Sequence, residues 1–165
     1  MDIAINPNVS LLDQVKMQAQ VLVPVLKALR AELGEERANR IVIGALRARS
    51  RDVYLRIGAA MPGTPREKWA AMTADAVPRI GTDIEMQVLK VESAAMEFNV
   101  TGCRYAEFFR QLGEPELGAV LLCEGDDHVV EVGAPEVELT RTQTIMKGGS
   151  HCDFRYKMKA GDGSS

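Results

Sequence analysis

The chain has 165 residues, 46% of them apolar and 26% charged, with a formal net charge of -3. That length supports one domain able to bury a core, in the composition range of an ordinary soluble globular protein. The charge offers no attraction to nucleic acid or anionic membrane, no apolar run has the length of a membrane span, and the opening "MDIAINPNVS" lacks the basic-then-apolar plan of a secretion signal.

A cytoplasmic location is therefore expected. The three cysteines, Cys103, Cys123 and Cys152, are odd in number and widely separated, which argues against a disulfide framework. In a reducing compartment such thiols are buried hydrophobes, metal ligands or nucleophiles.

Along the chain, Leu11, Leu12, Val15, Ala19, Leu22, Leu26 and Leu29 recur at helical spacing, with Gly34 as the stop. Pro24 is expected to kink this helix or split it. A second helix begins near Glu35, with Ala38, Ile41, Val42, Ala45 and Leu46 on one stripe, and continues to about Ala60. Thr64 then reads as an N-cap and Pro65 as the first residue of a short helix closed by Pro78 and Gly81. After Gly81 the period changes to two. Ile84, Met86 and Val88 alternate with Glu85 and Gln87, and Met96, Phe98 and Val100 with Glu97 and Asn99, which predicts strands 84–91 and 95–100 joined around Ser93. "TGCRYAEFFRQLGEP" returns to helix, with Thr101 as N-cap and Gly113 as stop, and "PELGAVLLCEGDD" reads as a short apolar helix ending near Gly125. Two strands, 137–146 and 150–157, close the fold. The expected architecture is α+β: N-terminal helices packed on an antiparallel sheet of two hairpins, with short helices between them. One domain spans 1–158, and residues 159–165 form a flexible tail.

Three places carry chemistry. With Thr101 as N-cap, Cys103 is the second helical residue, at the positive end of the helix dipole beside Arg104, a setting that lowers a thiol pKa. Glu107 lies one helical turn later, on the same side. In the last hairpin, a three-residue turn Lys147-Gly148-Gly149 sets Thr144 opposite Cys152, Thr142 opposite Phe154 and Thr140 opposite Tyr156 on one face. Ile145 with His151, Gln143 with Asp153, and Arg141 with Arg155 fall on the other. His151 and Cys152 thus point apart, so the consecutive Ser-His-Cys-Asp cannot be a local triad. Cys152, flanked by Phe154 and Tyr156, faces the helices. Cys123 reads as core at the end of its helix, and Asp126 falls in the following turn. Three Cys with His151 or Asp126 also supply enough donors for zinc, though no pair has the short spacing of a structural zinc site.

These residues carry a resemblance. "FNVTGCRYAEFFRQLGEPELGAVLLCEGD" followed by "VELTRTQTIMKGGSHCDFRY" resembles the L-2-amino-thiazoline-4-carboxylic acid hydrolase family over roughly residues 83 to 157. The family's Cys opening a helix, its Cys-x-x-Asp, its Arg-Thr-x-Thr strand and its Gly-rich turn into Cys-Asp-Phe-Arg fall on Cys103, Cys123 with Asp126, Arg141 with Thr142 and Thr144, and Cys152 with Asp153. The last hairpin is also similar, more distantly, to the 4-vinyl reductase type of small-molecule-binding domain, some of which hold zinc through cysteines.

The first resemblance implies a hydrolase opening a cyclic isothiourea without a cofactor; the second implies a sensor module without catalysis, with zinc on the Cys residues. For the hydrolase, Cys103 is the first-choice nucleophile and Cys152 the second. Asp126 or Glu107 holds the amidinium, Arg141 pairs with a substrate carboxylate, and Thr144 and Asp153 join the binding surface. His151 serves as acid or base if it reaches the pocket. The implied partner is a small molecule, with neither nucleic acid nor membrane; a homo-oligomer is compatible with this reading.

Overall fold

The computed structural model describes residues 9–80, 82–92 and 94–159, with the side chains of 75–80 left aside. Three helices come first: α1 (Leu11–Leu33), α2 (Glu35–Ala60) and α3 (Pro65–Ile80). Strands β1 (Ile84–Glu92) and β2 (Ala95–Cys103) follow, then short helices α4 (Arg104–Gln111) and α5 (Pro115–Leu121), a 3-10 segment Cys123–Gly133, and strands β3 (Val137–Thr140) and β4 (Cys152–Met158). The four strands form one antiparallel sheet in the order β1-β2-β4-β3. The α+β architecture is thus as the periodicity predicted. Ser93, Gly81 and residues 160–165 lie outside the described residues; Lys159 is still tied down, donating its N–H to Glu136 O (2.7 Å) and pairing with Glu138. No helix among the described residues is long and apolar enough to cross a membrane.

Several boundaries differ from expectation for identifiable reasons. α1 runs unbroken through Pro24, which sits on the solvent side, where water can satisfy the carbonyl it orphans. Its buried stripe is Leu12, Ala19, Val23 and Leu26, while Leu11 faces outward. α2 buries Ala38 and Gly58 and leaves Ile41 and Ala45 exposed. Its inner face meets the 3-10 segment: a Cβ on Gly58 would stand 3.0 Å from Val132 O, and one on Gly125 would stand 3.0 Å from Ser50 Oγ. α3 begins as expected, with a reciprocal cap in which Glu67 N donates to Thr64 Oγ1 (3.3 Å) and Thr64 N donates to Glu67 Oε2 (2.8 Å). It continues past Pro78 to Ile80.

The largest correction lies in the last hairpin. β3 stops at Thr140, residues 141–144 leave the ladder, and Ile145–Lys147 form a 3-10 turn that Thr144 caps. The register is also one residue away from expectation: Leu139, not Thr140, pairs with Tyr156, and Thr140 pairs with Arg155. The cause is Asp153, whose carboxylate takes the N–H groups of Thr142 (2.9 Å) and Gln143 (2.8 Å) and the Thr142 hydroxyl (2.7 Å). A side chain thereby replaces the ladder acceptors, and the linker curls away from the sheet.

The main core gathers Val23, Leu26 and Ala38 from α1 and α2, Phe109 and Leu117 from α4 and α5, and Val100, Met146 and Cys152 from the sheet end. A smaller cluster around Trp69, Val137 and Tyr156 seats α3 on the sheet. Within α5, Gly118 lets Phe109 approach: a Cβ there would stand 2.5 Å from the ring and 2.8 Å from Met146 Sδ. Gly118→Ala should therefore lose about 1–3 kcal/mol to overpacking, more than its helix-propensity gain returns. Gly44→Ala in α2, where nothing lies within 4 Å, should gain about 0.5–1 kcal/mol. Urea denaturation of both variants checks the pair; equal effects would mean the Phe109 contact is slack.

Candidate functional site

Alternation along the strands decides which side chains share a face. Val100 pairs with Cys152, Phe98 with Phe154 and Met96 with Tyr156, so Cys152 lies on the helix-covered face. Cys103, three residues beyond Val100, would by simple alternation point the other way. It does not, because the register between β1 and β2 slips at Thr101–Gly102: Met86 pairs with Val100, yet Ile84 pairs with Cys103. The extra residue is a β-bulge, and it re-aims Cys103 onto the face that carries Cys152.

Cys103 is itself the cap of α4, which corrects the expected start at Thr101; Thr101 is an exposed strand residue. Its Sγ accepts the N–H of Ala106 (3.4 Å), and Cys152 Sγ accepts the N–H of Ile145 (3.3 Å). The start of α4 is pinned by buried Asp83, which takes Arg104 Nη1 (3.1 Å) and the Tyr105 hydroxyl (3.2 Å). The expected acidic thiol is not found. Burial raises the Cys103 pKa and outweighs the N–H groups of Ala106 and Tyr105, and the Asp126 carboxylate adds to the rise. Burial likewise raises Cys152 against the help of the Ile145 N–H. Cys123, which opens the 3-10 segment instead of ending a helix, is pushed furthest, by burial and then by Asp126. The Asp126 carboxylate adds to the rise at all three thiols, and all are protonated at neutral pH.

Opposite them stands an ion-pair group. Arg141, with only 9% of its side chain exposed, donates to Asp126 Oδ2 (2.7 Å), Asp127 Oδ1 (3.2 Å) and the Cys123 carbonyl (2.7 Å), its guanidinium 5.2 Å from the Phe154 ring centre. Burial pushes the Asp126 carboxyl up to about 6 against the pull of Arg141, and the carboxylates of Asp127 and Glu124 push it further. Arg141 is itself raised: burial opposes its charge, but Asp126 and Asp127 outweigh it. A lone pair would lower the acid while raising the base. Here burial dominates, and with the carboxylates of Asp127 and Glu124 adding to it, the pull of Arg141 is outweighed. Asp126 keeps 40% of its side chain accessible, so solvent and small molecules can reach its carboxylate.

The other expected site residues fall elsewhere. Glu107 is exposed on the outer side of α4. His151 lies on the face of β4 opposite Cys152, its ring nitrogens bonded to Ser150 Oγ (2.9 Å) and Gln143 Nε2 (3.2 Å). Thr144 is buried as a cap, and Asp153 is spent on the linker. Sequence reasoning missed Asp83, Tyr105, Asp127 and Glu124. It also missed Tyr54 and Tyr156, whose hydroxyls are pushed up by burial and by Asp126. No spacing rule links residues 54, 105 and 156 to Asp126, whose charge nevertheless raises all three tyrosine hydroxyls. Among the described residues, no three His, Cys, Asp or Glu side chains are grouped to hold a metal ion. Of the donors expected for zinc, Cys103 and Cys152 each accept a backbone N–H, Asp126 pairs with Arg141, and His151 bonds Ser150 and Gln143.

Two clefts open near this region. One, of about 480 Å³, is apolar, lined by Trp69, Met96, Val137, Tyr156 and Met158 beneath α3, away from the thiols. The other, of about 430 Å³, is polar and bounded by Glu124, Asp127, Arg141, Gln143 and Lys147. Arg141 lines this polar cleft and also bonds to Asp126 and the Cys123 carbonyl.

The family model described as L-2-amino-thiazoline-4-carboxylic acid hydrolase matches residues 14–156. No curated protein matches the chain. Among solved structures, the phenol-responsive sensory domain of the transcription activator PoxR with phenol is similar at 15% identity and a TM-score of 0.49, covering 83% of this chain and 72% of that one. A trafficking protein particle complex subunit 3 from Naegleria fowleri, covalently bound to palmitic acid, is similar at 13% identity and a TM-score of 0.46, covering 88% and 97%. At these scores, neither likeness bears on the site.

The Asp153 carboxylate positions the linker that carries Arg141. Burial works against its charge, but the Thr142 hydroxyl and the N–H groups of Gln143 and Thr142 win, and its pKa is lowered. Stability from these bonds is therefore fully present above the ordinary carboxylate value and lost as pH falls through the lower folded value. Asp153→Asn should lose roughly 1.5–3 kcal/mol at pH 7, and the difference from wild type should shrink below about pH 4. Denaturation midpoints across that pH range check it; a pH-independent difference would assign the loss to shape alone.

Proposed function

The chain belongs to the L-2-amino-thiazoline-4-carboxylic acid hydrolase family, and from that premise we propose that it hydrolyses the ring of a small cyclic amidine or isothiourea such as 2-amino-thiazoline-4-carboxylate. The observation that supports this best is the convergence of two sulfurs, each accepting a backbone N–H, on one sheet face opposite Asp126 and Arg141. The target carbon carries sulfur and two nitrogens and is cationic when the amidine is protonated. Such a cation offsets the burial that keeps the thiols neutral, so thiolate forms when the ring is present.

In this reading Cys103, with Cys152 as the alternative, adds to the ring carbon, its proton passing to Asp126. The ring carbon–nitrogen bond then breaks, the nitrogen taking that proton, and the carbon remains on the enzyme sulfur. Water displaces the sulfur, restoring the thiol, so one water is consumed per ring opened. Arg141 holds Asp126 toward the thiols. No cofactor enters, and the enzyme acts in the cytoplasm on a small molecule rather than on nucleic acid or membrane.

The test is turnover of 2-amino-thiazoline-4-carboxylate by purified protein. Cys103→Ser and Cys152→Ser should each lower kcat on the order of a hundredfold, about 3 kcal/mol of transition-state stabilisation, with the fold retained. Cys123→Ser should mainly cost stability. Near-normal turnover by Cys103→Ser would move the nucleophile to Cys152. Because Asp126 must be ionised to accept the thiol proton, kcat/KM should rise with pH through about 6 and lose that limb in Asp126→Asn. A flat profile would remove Asp126 as the base.

A second reading rests on the apolar cleft beneath Trp69: a sensor module that binds an apolar or aromatic ligand unchanged. Stoichiometric binding of such a ligand, with no turnover across a panel of amidine rings, would favour it.

A further inference from the structure

The polar cleft is electrically two-ended. At one end Glu124 is shared by two cations, Lys147 (Nζ–Oε1 2.6 Å) and Arg47. At the other end Arg141 is shared by two carboxylates, Asp126 and Asp127. The first group thus carries one positive charge in excess and the second one negative. Glu124, Lys147, Arg141 and Asp127 line the cleft of about 430 Å³, a size suited to a small molecule, while Arg47 and Asp126 are not among its lining residues. We propose that this cleft recognises a small zwitterion, with Lys147 taking its carboxylate and Asp127 its amidinium. The inference rests on the hydrolase reading and names the group that selects the acid form of the ring.

Arg141 is poorly placed to take the carboxylate. It is almost covered, and its nitrogens are engaged by Asp126, Asp127 and the Cys123 carbonyl. Freeing it would leave two adjacent carboxylates without their cation. Lys147 is different. Its side chain is 57% exposed, it lines the cleft, and an ammonium has three donors, of which Glu124 uses one. If Lys147 turns toward a ligand, Glu124 keeps Arg47 and is not stranded. Lys147 is therefore a cation that can change partners without leaving a charge unpaired. Asp127 is the matching anion: half-exposed, in the cleft, and bonded to Arg141 at 3.2 Å, longer than the 2.7 Å of Asp126. A zwitterion bound this way has its amidine end beside Arg141, which also holds Asp126 and the Cys123 carbonyl.

The probe is a pair of rings: 2-amino-thiazoline-4-carboxylate, and 2-amino-2-thiazoline, which lacks the carboxylate. In Lys147→Met the ratio of kcat/KM for the acid to that for the bare ring should fall about tenfold or more, whereas Lys147→Arg should keep it within about threefold. Asp127→Asn should lower kcat/KM for both rings, because both carry the amidinium. An unchanged ratio in Lys147→Met, or a wild type that uses the bare ring as well as the acid, would overturn the proposal. If wild type turns over neither ring, the hydrolase reading fails separately, and calorimetry decides this one. Acid binding weakened about tenfold by Lys147→Met and bare-ring binding barely changed would still support it; equal affinities, or no binding of the acid, would overturn it.

Discussion

A single guanidinium ties the sheet, the linker after β3 and the 3-10 segment together. Arg141 leaves the sheet on a curled linker, lies against Phe154 on the sheet face, and holds the 3-10 segment through Asp126, Asp127 and the carbonyl of Cys123. The 3-10 segment is in turn clamped to α2 by Arg47–Glu124 and Arg51–Glu131. One positive charge therefore spans sheet, linker and helix layer. Burial, helped by the neighbouring carboxylates of Asp127 and Glu124, outweighs that cation at Asp126 and makes a proton-exchanging group out of an aspartate that would ordinarily be a plain counter-ion.

The thiols are managed differently. Each of the two on the sheet face accepts a backbone N–H, one at the start of a helix and one at the start of a 3-10 turn, yet burial still keeps them neutral. Donors aimed at a neutral sulfur contribute little until charge develops there. In the proposed hydrolase those N–H donors would count only once a cationic ring brings charge onto a sulfur.

Much of this was legible in the residues, and the limits were physical. Period-two runs gave β1 and β2, and the Thr64–Pro65 cap gave the start of α3, because local chemistry decides those features. The shape of the last hairpin was not legible. A Gly-Gly turn with alternating flanks argues for a long ladder, but the Asp153 carboxylate competes for the same N–H groups and wins. Thr101 looked like a cap by residue type, while the sulfur two residues on took that role. Burial of the cysteines could not be read from the sequence, so the dipole argument for an acidic Cys103 had no opposing term to weigh against it. Asp126 and Arg141 were picked out by their motif, but their contact depends on a linker conformation that no short-range pattern encodes.

The bulge that re-aims Cys103 has another effect, because its partner β1 is an edge strand. A long, regular edge with exposed Val88, Leu89 and Val91 would be a template for another chain's strand. Here the β1–β2 pairing is interrupted twice, once beside Glu85 and again beside Leu89, and Lys90 and Glu92 stand charged along the free side. Bulged, strongly twisted edges with charges are poor templates for strand addition. The irregularity that brings a sulfur to the interior thus also makes the free edge of β1 a poor template for another strand.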